Sequence, residues 1–254
     1  VRASAGRGFR SPNVVAENIS MLASNRSFEG ISTLKIEKAW NFGLNFTQNM
    51  HIAGLESSLS LDAFRTNFTN QAVMDVESDF KKVLFYNLDG RSYSNSFLAT
   101  FTQKLPAGFE VKLIGKFNDV RTTYQNRGLQ TVPLVAKWRG LTTVDWSPKS
   151  KKWAVSSRVG FVGTQRLPSN TGIPHEFLHG FPEKTPFYAL WAGQITRNFK
   201  KLEIYLGGEN LGDFTQHAAI IAANEPFSPY FNASQIWAPT MGRTVYAGLR
   251  WTLK

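Results

Sequence analysis

The chain has 254 residues, 42% of them hydrophobic and 19% charged, which is the composition of a folded protein and excludes a disordered or collagen-like chain. The formal net charge is +11, but the basic residues are scattered, and the tight groups at 149–152 and 200–201 fall where short turns are predicted, so we do not expect nucleic-acid binding. Cysteine is absent, which excludes disulfides and thiolate metal sites within this chain, and no apolar run approaches the about 18 residues of a membrane-spanning helix.

Apolar and polar residues alternate along about ten segments, which is the period of a β-strand and not of a helix. In residues 40–47, four large apolar side chains alternate with Asn, Gly and Thr, and residues 243–253 follow the same pattern. We therefore predict an all-β fold. The predicted strands, in chain order, are 1–10, 38–50, 55–69, 92–105, 109–120, 132–147, 153–166, 187–199, 202–214 and 243–253.

The predicted strands are too long for an ordinary soluble sheet. Most have ten or more residues, whereas strands of soluble proteins usually have about five or six, and about nine to eleven tilted residues cross a bilayer. Their polar faces carry Lys, Arg, Glu, Asn and Thr, which a water-filled lumen accepts more readily than a packed core. These features favour an antiparallel transmembrane β-barrel.

Short and long connections alternate strictly between these strands, as in outer-membrane barrels with tight periplasmic turns and longer extracellular loops. On this polarity, the first strand runs outward, the tenth runs inward and Lys254 lies in the periplasm. Trp146 and Trp153 flank one short turn and are predicted to lie in the inner aromatic girdle. The short connections are 51–54, 106–108, 147–152 and 200–201, and the long ones are 11–37, 70–91, 121–131, 167–186 and 215–242.

Four stretches resemble signatures of the TonB-dependent outer-membrane receptors. RASAGRGFRSPN at 2–13, followed by Glu17, and LKIEKAW at 34–40 are similar to the entry and exit of an extracellular loop in that family. GENLGDF at 208–214 resembles the N-L-x-D signature after the penultimate strand, and WAPTMGRTVYAGLRW at 237–251 resembles the P-x-x-G-R entry to the closing strand. We interpret the motif residues as structural; they are Gly8, Phe9, Arg10, Pro12, Asn13, Asn210, Leu211, Asp213, Gly242 and Arg243.

The resemblance implies that residues 1–254 are the C-terminal portion of a barrel of 22 strands, from the thirteenth strand to the last. It places the signal peptide, the plug domain and the TonB box outside this chain. It also implies active import of a scarce large solute, most often an iron-siderophore complex or haem, driven by the TonB-ExbB-ExbD system through the plug. Vitamin B12, copper complexes, saccharides and peptides stay open as solutes. Outer-membrane lipid and a surface lipoprotein are further expected partners, and no cofactor is expected.

Aromatic and arginine side chains of the predicted long loops are candidates for contact with an anionic or planar solute. Loop packing and an outer aromatic girdle explain the same residues equally well. The candidate ligand-binding residues are Arg121, Tyr124, Arg127, His175, His179, Phe227, Tyr230 and Trp237.

The string HEFLH at 175–179 formally matches the zinc-protease pattern H-E-x-x-H. That pattern requires a surrounding helix, whereas here Pro174 and Gly180 bracket the string in a predicted loop. We therefore expect no metal site and no catalytic residues, and we expect that the protein is not an enzyme. Contact with haem or a metal complex stays open for His175 and His179, as does a surface position without a role.

Two other classes of protein compete with this interpretation. A passive porin-type channel has the same alternating strands but needs no plug. A soluble carbohydrate-binding β-sandwich has alternating strands and long loops, but it should purify without detergent.

Overall fold

The computed structural model describes residues 1–178 and 180–253, so His179 and the predicted periplasmic position of Lys254 lie outside the described residues. The described residues form fourteen strands and two α-helices of four residues each, α1 (Val14–Glu17) and α2 (His175–Leu178). The strands are β1 (Arg2–Arg10), β2 (Ser27–Glu29), β3 (Glu37–Ile52), β4 (Leu55–Asn70), β5 (Ala72–Asp75), β6 (Lys82–Asn87), β7 (Ser92–Leu105), β8 (Phe109–Tyr124), β9 (Gly128–Thr131), β10 (Trp138–Trp146), β11 (Trp153–Val162), β12 (Tyr188–Asn198), β13 (Leu202–Glu209) and β14 (Thr244–Trp251).

One large antiparallel sheet has the strand order β1-β3-β4-β7-β8-β10-β11-β12-β13-β14, and β9 pairs with β8 at its margin. Each strand on this path pairs with the next one along the chain that belongs to it, as in an up-and-down barrel. The edge strands β1 and β14 lie at opposite ends of the order, so the sheet does not close on itself. The fold is therefore an open portion of a β-barrel wall, which confirms the predicted fold class.

The ten predicted segments all form strands, but three are shorter than predicted by four or more residues. The segment 132–147 begins as β10 only at Trp138, because Pro133 has no N–H to donate to the ladder and Leu134 has a φ of 61°. The segment 202–214 ends at Glu209, because Asn210 has a φ of 49° and leaves the extended conformation. The segment 153–166 ends at Val162, and the chain then enters a long loop.

The register keeps large apolar side chains on one face across the whole sheet. Leu44 lies opposite Ala63, Ala63 opposite Phe97, Phe97 opposite Phe117, and Phe117 opposite Trp138. Residues directly opposite each other point to the same side, so these five form one continuous row. Trp138 is 63% exposed, and among the described residues no second sheet covers this face. An exposed apolar face of this size is typical of a lipid-facing surface and excludes the β-sandwich.

The other face of the sheet is polar and carries cross-strand hydrogen bonds. Asn45 Nδ2 donates to Asp62 Oδ1 at 2.7 Å, and Arg250 Nη1 donates to Glu203 Oε1 at 3.0 Å. Such pairs tolerate water, as expected for the lumen of a barrel.

Aromatic side chains mark the end of the apolar face at which the short turns lie. Trp146 packs beside Phe109 with ring centroids 6.0 Å apart, and the Arg197 guanidinium lies 4.6 Å from the Trp153 ring centroid. Trp146 and Trp153 thus lie beside a short turn, and their place in the inner aromatic girdle stays a prediction. In the part of the chain that the structure describes, no helix has the length and apolar character to cross a membrane.

The best-buried hydrophobic core lies in the long loops and not in the large sheet. There, β2, β6 and β5 form a small mixed sheet, with β2 parallel to β6 and β5 antiparallel to it. The long loops at this end therefore form a packed layer rather than loose connections. Its core residues are Val14, Met21, Val76, Val83 and Phe85.

Candidate functional site

The N-L-x-D motif forms a tight turn where β13 ends. Asn210 Oδ1 accepts a hydrogen bond from the Phe214 N–H at 3.0 Å, and its Nδ2 donates to the Phe214 carbonyl at 2.8 Å. The Leu211 N–H donates to the carbonyl of Trp191 on β12 at 2.8 Å. Short polar side chains at positive φ are favoured in such turns, so the motif fixes how the chain leaves the sheet.

The same turn holds the start of β14 through Asp213. Its Oδ1 accepts the Arg243 N–H at 2.8 Å, and its Oδ2 lies 3.6 Å from the Arg243 guanidinium. A Cβ at Gly242 would lie 2.5 Å from Asp213 Oδ1, so a side chain there would displace the carboxylate that accepts the Arg243 N–H. The two C-terminal motifs are therefore one structural unit that joins both ends of a long loop.

The N-terminal motif has a similar structural role where β1 enters its loop. Arg10 bonds Glu37 at the start of β3 and donates from Nη2 to Glu17 Oε2 at 3.0 Å. Asn13 caps α1 by accepting the Ala16 N–H at 3.4 Å, while Glu17 Oε1 accepts the Asn13 N–H at 3.3 Å. This reciprocal capping box fixes the first turn of the loop. Gly8 and Phe9 lie in β1, and Pro12 separates β1 from α1.

Four charged side chains form a largely buried network that joins three long loops. Arg127, after β8, donates to Asp75 Oδ1 and to Glu77 Oε2, both at 2.7 Å. Arg166, after β11, bonds Glu77 and donates from Nη2 to the Thr131 carbonyl at 2.7 Å. The side chains of Asp75 and Glu77 are 0% and 2% exposed. Each buried carboxylate is thus matched by a guanidinium, as buried charges require.

The network determines the protonation of its members. Burial alone would raise the pKa of Asp75, but hydrogen bonds from Glu77 N–H, Ser78 and Arg127 outweigh it and hold that pKa below its ordinary value. Burial opposes ionisation of Glu77 too, yet bonds from Arg166 and Arg127 lower its pKa. Burial raises the pKa of Tyr86, whose hydroxyl donates to Asp75, to about 12. The two carboxylates therefore stay ionised at neutral pH.

Two predicted aromatic residues have packing partners in other parts of the loop layer. The Tyr230 ring lies between Phe80 and Phe177, at centroid distances of 5.2 and 5.0 Å. Trp237 packs 5.6 Å from the Tyr188 ring, and its backbone carbonyl accepts the Tyr188 hydroxyl at 2.7 Å. Both contacts connect loop 210–243 to other loops or to β12.

Other predicted residues are exposed on the layer. Phe227 is 97% exposed at the tip of loop 210–243, and His175 is exposed at the start of α2. Close to α2, a cavity of about 440 Å³ opens between 166–171 on one side and Leu178 with 181–184 on the other. Its lining includes Lys184, Asn170 and Glu183 and offers cationic, amide and carboxylate groups to a solute.

Tyr124 and Arg121 lie apart from that cavity. Tyr124 is buried at the end of β8, with the Arg127 guanidinium 4.6 Å from its ring centroid. Arg121 lies opposite Tyr93, and the register places it on the same face as Phe117 and Trp138. Its Nε bonds Asp119 Oδ1 at 3.0 Å. The seven predicted residues that the structure describes thus do not form one cluster.

Sequence reasoning missed Asp75, Glu77, Arg166 and Lys184. The first three form one network with Arg127. Its ion pairs join residues that are 50 to 89 positions apart in sequence, so no local pattern marks them. Within residues 1–178 and 180–253, no group of three or more His, Asp or Glu side chains is placed to hold a metal ion. Among the described residues, the helix that contains His175 has four residues, which does not supply the long helix of a zinc protease.

A strand-by-strand barrel wall with an apolar outer face, a polar inner face and a packed layer of long loops at one end defines the class of membrane β-barrel receptors and channels. The family model described as "TonB dependent receptor-like, beta-barrel" matches residues 1–211. The chain belongs to this family, whose members are receptors and transporters rather than enzymes. A comparison with curated proteins finds no match.

Solved structures of receptors share the fold at low sequence identity. The ferric-catecholate import receptor Fiu from Escherichia coli K12 is 13% identical with a TM-score of 0.62, over 98% of this chain and 32% of that one. The copper transporter OprC is 13% identical with a TM-score of 0.69, over 99% of this chain and 37% of that one. The siderophore receptor PirA from Acinetobacter baumannii is 14% identical with a TM-score of 0.63, over 98% of this chain and 38% of that one. The chain thus spans about a third of the length of these proteins.

Proposed function

We propose that this chain is part of the wall, the loop layer and the closing strand of an outer-membrane receptor that imports an iron-siderophore complex with energy from TonB-ExbB-ExbD. The family match over residues 1–211 carries this proposal. The apolar outer face supports insertion in a membrane, and several similar structures are receptors for ferric siderophores. The plug domain that couples such a receptor to TonB would be supplied outside this chain.

The proposed polarity places the short turns in the periplasm and the loop layer outside the cell. Tight connections join β3 to β4 and β12 to β13, whereas the buried core of the long loops needs room on the opposite side. Since β14 runs from the long-loop end to the short-turn end, the chain would finish in the periplasm.

A solute is proposed to bind at the exposed part of the loop layer. The cavity of about 440 Å³ has the size of a small-molecule site and lies beside α2, which begins with His175. Lys184 lines it and has no carboxylate within salt-bridge distance among the described residues. Glu183 also lines the cavity, but a lysine ammonium that no carboxylate holds in an ion pair suits an anionic ferric complex. Phe227, fully exposed on a neighbouring loop, offers an aromatic face to the same kind of ligand.

The experiment is a binding titration of the purified full-length receptor with a ferric catecholate and, separately, with haem. We expect the Lys184→Ala and Phe227→Ala variants to weaken ferric-catecholate binding several-fold. His217→Ala, another exposed substitution in loop 210–243, is the matched control and should leave the affinity unchanged. If the receptor binds haem tightly and does not bind the ferric catecholate, the transported solute is haem and not an iron-siderophore complex.

A further inference from the structure

A small cavity lies inside the loop layer, where several long loops meet. Its volume is about 70 Å³. A water molecule takes up about 30 Å³ of the liquid, so the cavity has room for about two waters or for one small polyatomic ion. Its walls are mostly apolar. The buried residues that line it include Met21, Arg26, Val76, Tyr124 and Gln235.

Arg26 contributes a buried cation that is not in an ion pair. The residue is 9% exposed, and its Nη1 donates to the Val76 carbonyl at 3.1 Å. Among the described residues, no carboxylate oxygen lies within 4 Å of its guanidinium. Burial lowers the pKa of Arg26, and the charge of Asp79 opposes this shift only in part. A buried charge without a counter-charge is unfavourable, so the cavity favours an anion.

Gln235 contributes a buried acceptor that has no donor. The residue is 1% exposed, and its Nε2 donates to Asn170 Oδ1 at 2.8 Å. Its Oε1 is buried, and no hydrogen-bond partner for it is present among the described residues. Buried polar atoms in folded proteins are almost always satisfied by protein, water or a ligand. The cavity therefore also requires a hydrogen-bond donor.

Backbone hydrogen bonds hold the two contributing segments together. The Ala233 N–H donates to the Ala23 carbonyl at 2.8 Å, and the Asn25 N–H donates to the Phe231 carbonyl at 3.1 Å. These bonds join the loop after β1 to the loop before β14, about two hundred residues apart in sequence. A ligand between the two loops would thus stabilise the contact that these amides report.

We propose that the cavity binds a small oxyanion that keeps one O–H group, of the hydrogen carbonate class. Its charged oxygens accept hydrogen bonds from the Arg26 guanidinium, whose planar fork matches a carboxylate. Its O–H donates to Gln235 Oε1. A halide would neutralise Arg26 but leave Oε1 without a donor, whereas water would satisfy Oε1 but bring no charge. The site is separate in kind from the proposed import function and does not depend on the transported solute.

The test is amide hydrogen exchange of the purified full-length receptor, measured by mass spectrometry on peptides that contain Asn25 and Ala233. Exchange is compared in hydrogen carbonate, formate and chloride at one ionic strength and one mildly alkaline pH, with gluconate, which is too large for the cavity, as the reference salt. Formate has the same carboxylate but no O–H, so it is the matched ligand control. We expect hydrogen carbonate to slow exchange of both amides several-fold more than formate or chloride, because a ligand that binds only the closed layer stabilises it.

Two variants test the residues. Arg26→Gln removes the cation and should abolish the difference between hydrogen carbonate and formate. If this variant opens the layer in every salt, Gln235→Glu decides the question. It places a carboxylate of the same size at the cavity to pair with Arg26, so exchange should be slow in gluconate and should not respond to hydrogen carbonate. The matched control is Arg91→Gln, which removes an exposed arginine in the connection before β7 and should keep the wild-type response.

Exchange that is equally fast in all four salts would overturn the proposal and would indicate that the cavity holds water only. Equal slowing by hydrogen carbonate and formate, or by hydrogen carbonate and chloride, would overturn it too, because the O–H would then not be recognised. A wild-type response to hydrogen carbonate in Gln235→Glu would exclude Gln235 from the site and overturn the proposal in the same way.

Discussion

Asp213 Oδ1 accepts the backbone N–H of Arg243 at 2.8 Å, and this bond joins residues 30 apart in sequence near the two ends of the loop between the last two strands. This bond fixes the point at which β14 enters the sheet. It joins the two C-terminal motifs of the family into one turn, which explains the combination of aspartate, glycine and arginine without any contact to a solute.

Asp213→Ala should therefore weaken the attachment of β14. The variant loses the acceptor for the Arg243 N–H and places alanine at a φ of 58°. We expect these two effects together to lower the free energy of unfolding by about 1–2 kcal/mol. The measurement is the urea midpoint of unfolding of the full receptor in detergent. Asp213→Asn keeps the Oδ1 acceptor and tolerates this φ, so its midpoint should stay close to that of the wild type. If both variants lower the urea midpoint equally, the hydrogen bond from the Arg243 N–H to the side-chain oxygen of residue 213 does not hold β14 in place.

Arg127→Ala should open the loop layer locally. It leaves Asp75 without its guanidinium and removes one of two from Glu77, and uncompensated buried charge costs about 3–5 kcal/mol. Since the Arg127 side chain is 23% exposed, we expect a smaller loss of about 2–3 kcal/mol. Hydrogen exchange of β5 and β6 should report it, while exchange in β3 and β4 stays unchanged. Removing the charge on both sides, in Arg127→Ala with Asp75→Asn, should recover part of the loss.

Acid should loosen the same network. The pKa values of Asp75 and Glu77 are lowered in the folded state, so the unfolded state binds more protons near the ordinary carboxylate pKa of about 4. The stabilisation is fully present above that pH and is lost as pH falls through the lowered values. Hydrogen exchange of β5, corrected for the intrinsic rate, should accelerate below pH 4. Arg127→Ala should show a weaker pH dependence, and an identical dependence in both proteins would exclude the network as its origin.

Gly30→Ala should disrupt the small sheet. Gly30 has a φ of 84°, and an added Cβ would clash with the Phe85 carbonyl oxygen, far inside the van der Waals contact distance. The backbone must shift, and we expect a loss of about 2 kcal/mol or more in the protection of β6. Gly6→Ala is the matched control, because a Cβ there meets nothing within 4 Å. Equal protection of β6 in the two variants would refute this packing.

The large sheet was predictable because each of its strands is specified by the pattern of residues within that strand. Alternation in segments such as 40–47 specifies both a strand and the side that faces lipid, and alternating connection lengths specify the up-and-down order. The largest errors in strand bounds were in three segments, and in two of them a single backbone conformation decides where the strand begins or ends, at Leu134 and at Asn210.

The loop layer was not predictable in the same way. Its strands β2 and β5 have three and four residues, too few to establish a period, and β2 pairs with β6 across more than fifty residues. Arg127 was a candidate from the sequence because of its positive charge, but its partners Asp75 and Glu77 lie in another loop. A solute contact for the exposed Phe227 and His175 stays a prediction, because it depends on a ligand and not on the packing of this chain.

The most direct test of the proposed import function is uptake of radiolabelled ferric siderophore by cells whose only siderophore receptor is the full-length protein that contains this chain. Uptake should be measured in matched strains with and without TonB. We predict saturable uptake that falls to the background of receptor-free cells when TonB is deleted. Equal uptake in both strains would contradict energy-coupled import and would indicate a passive channel.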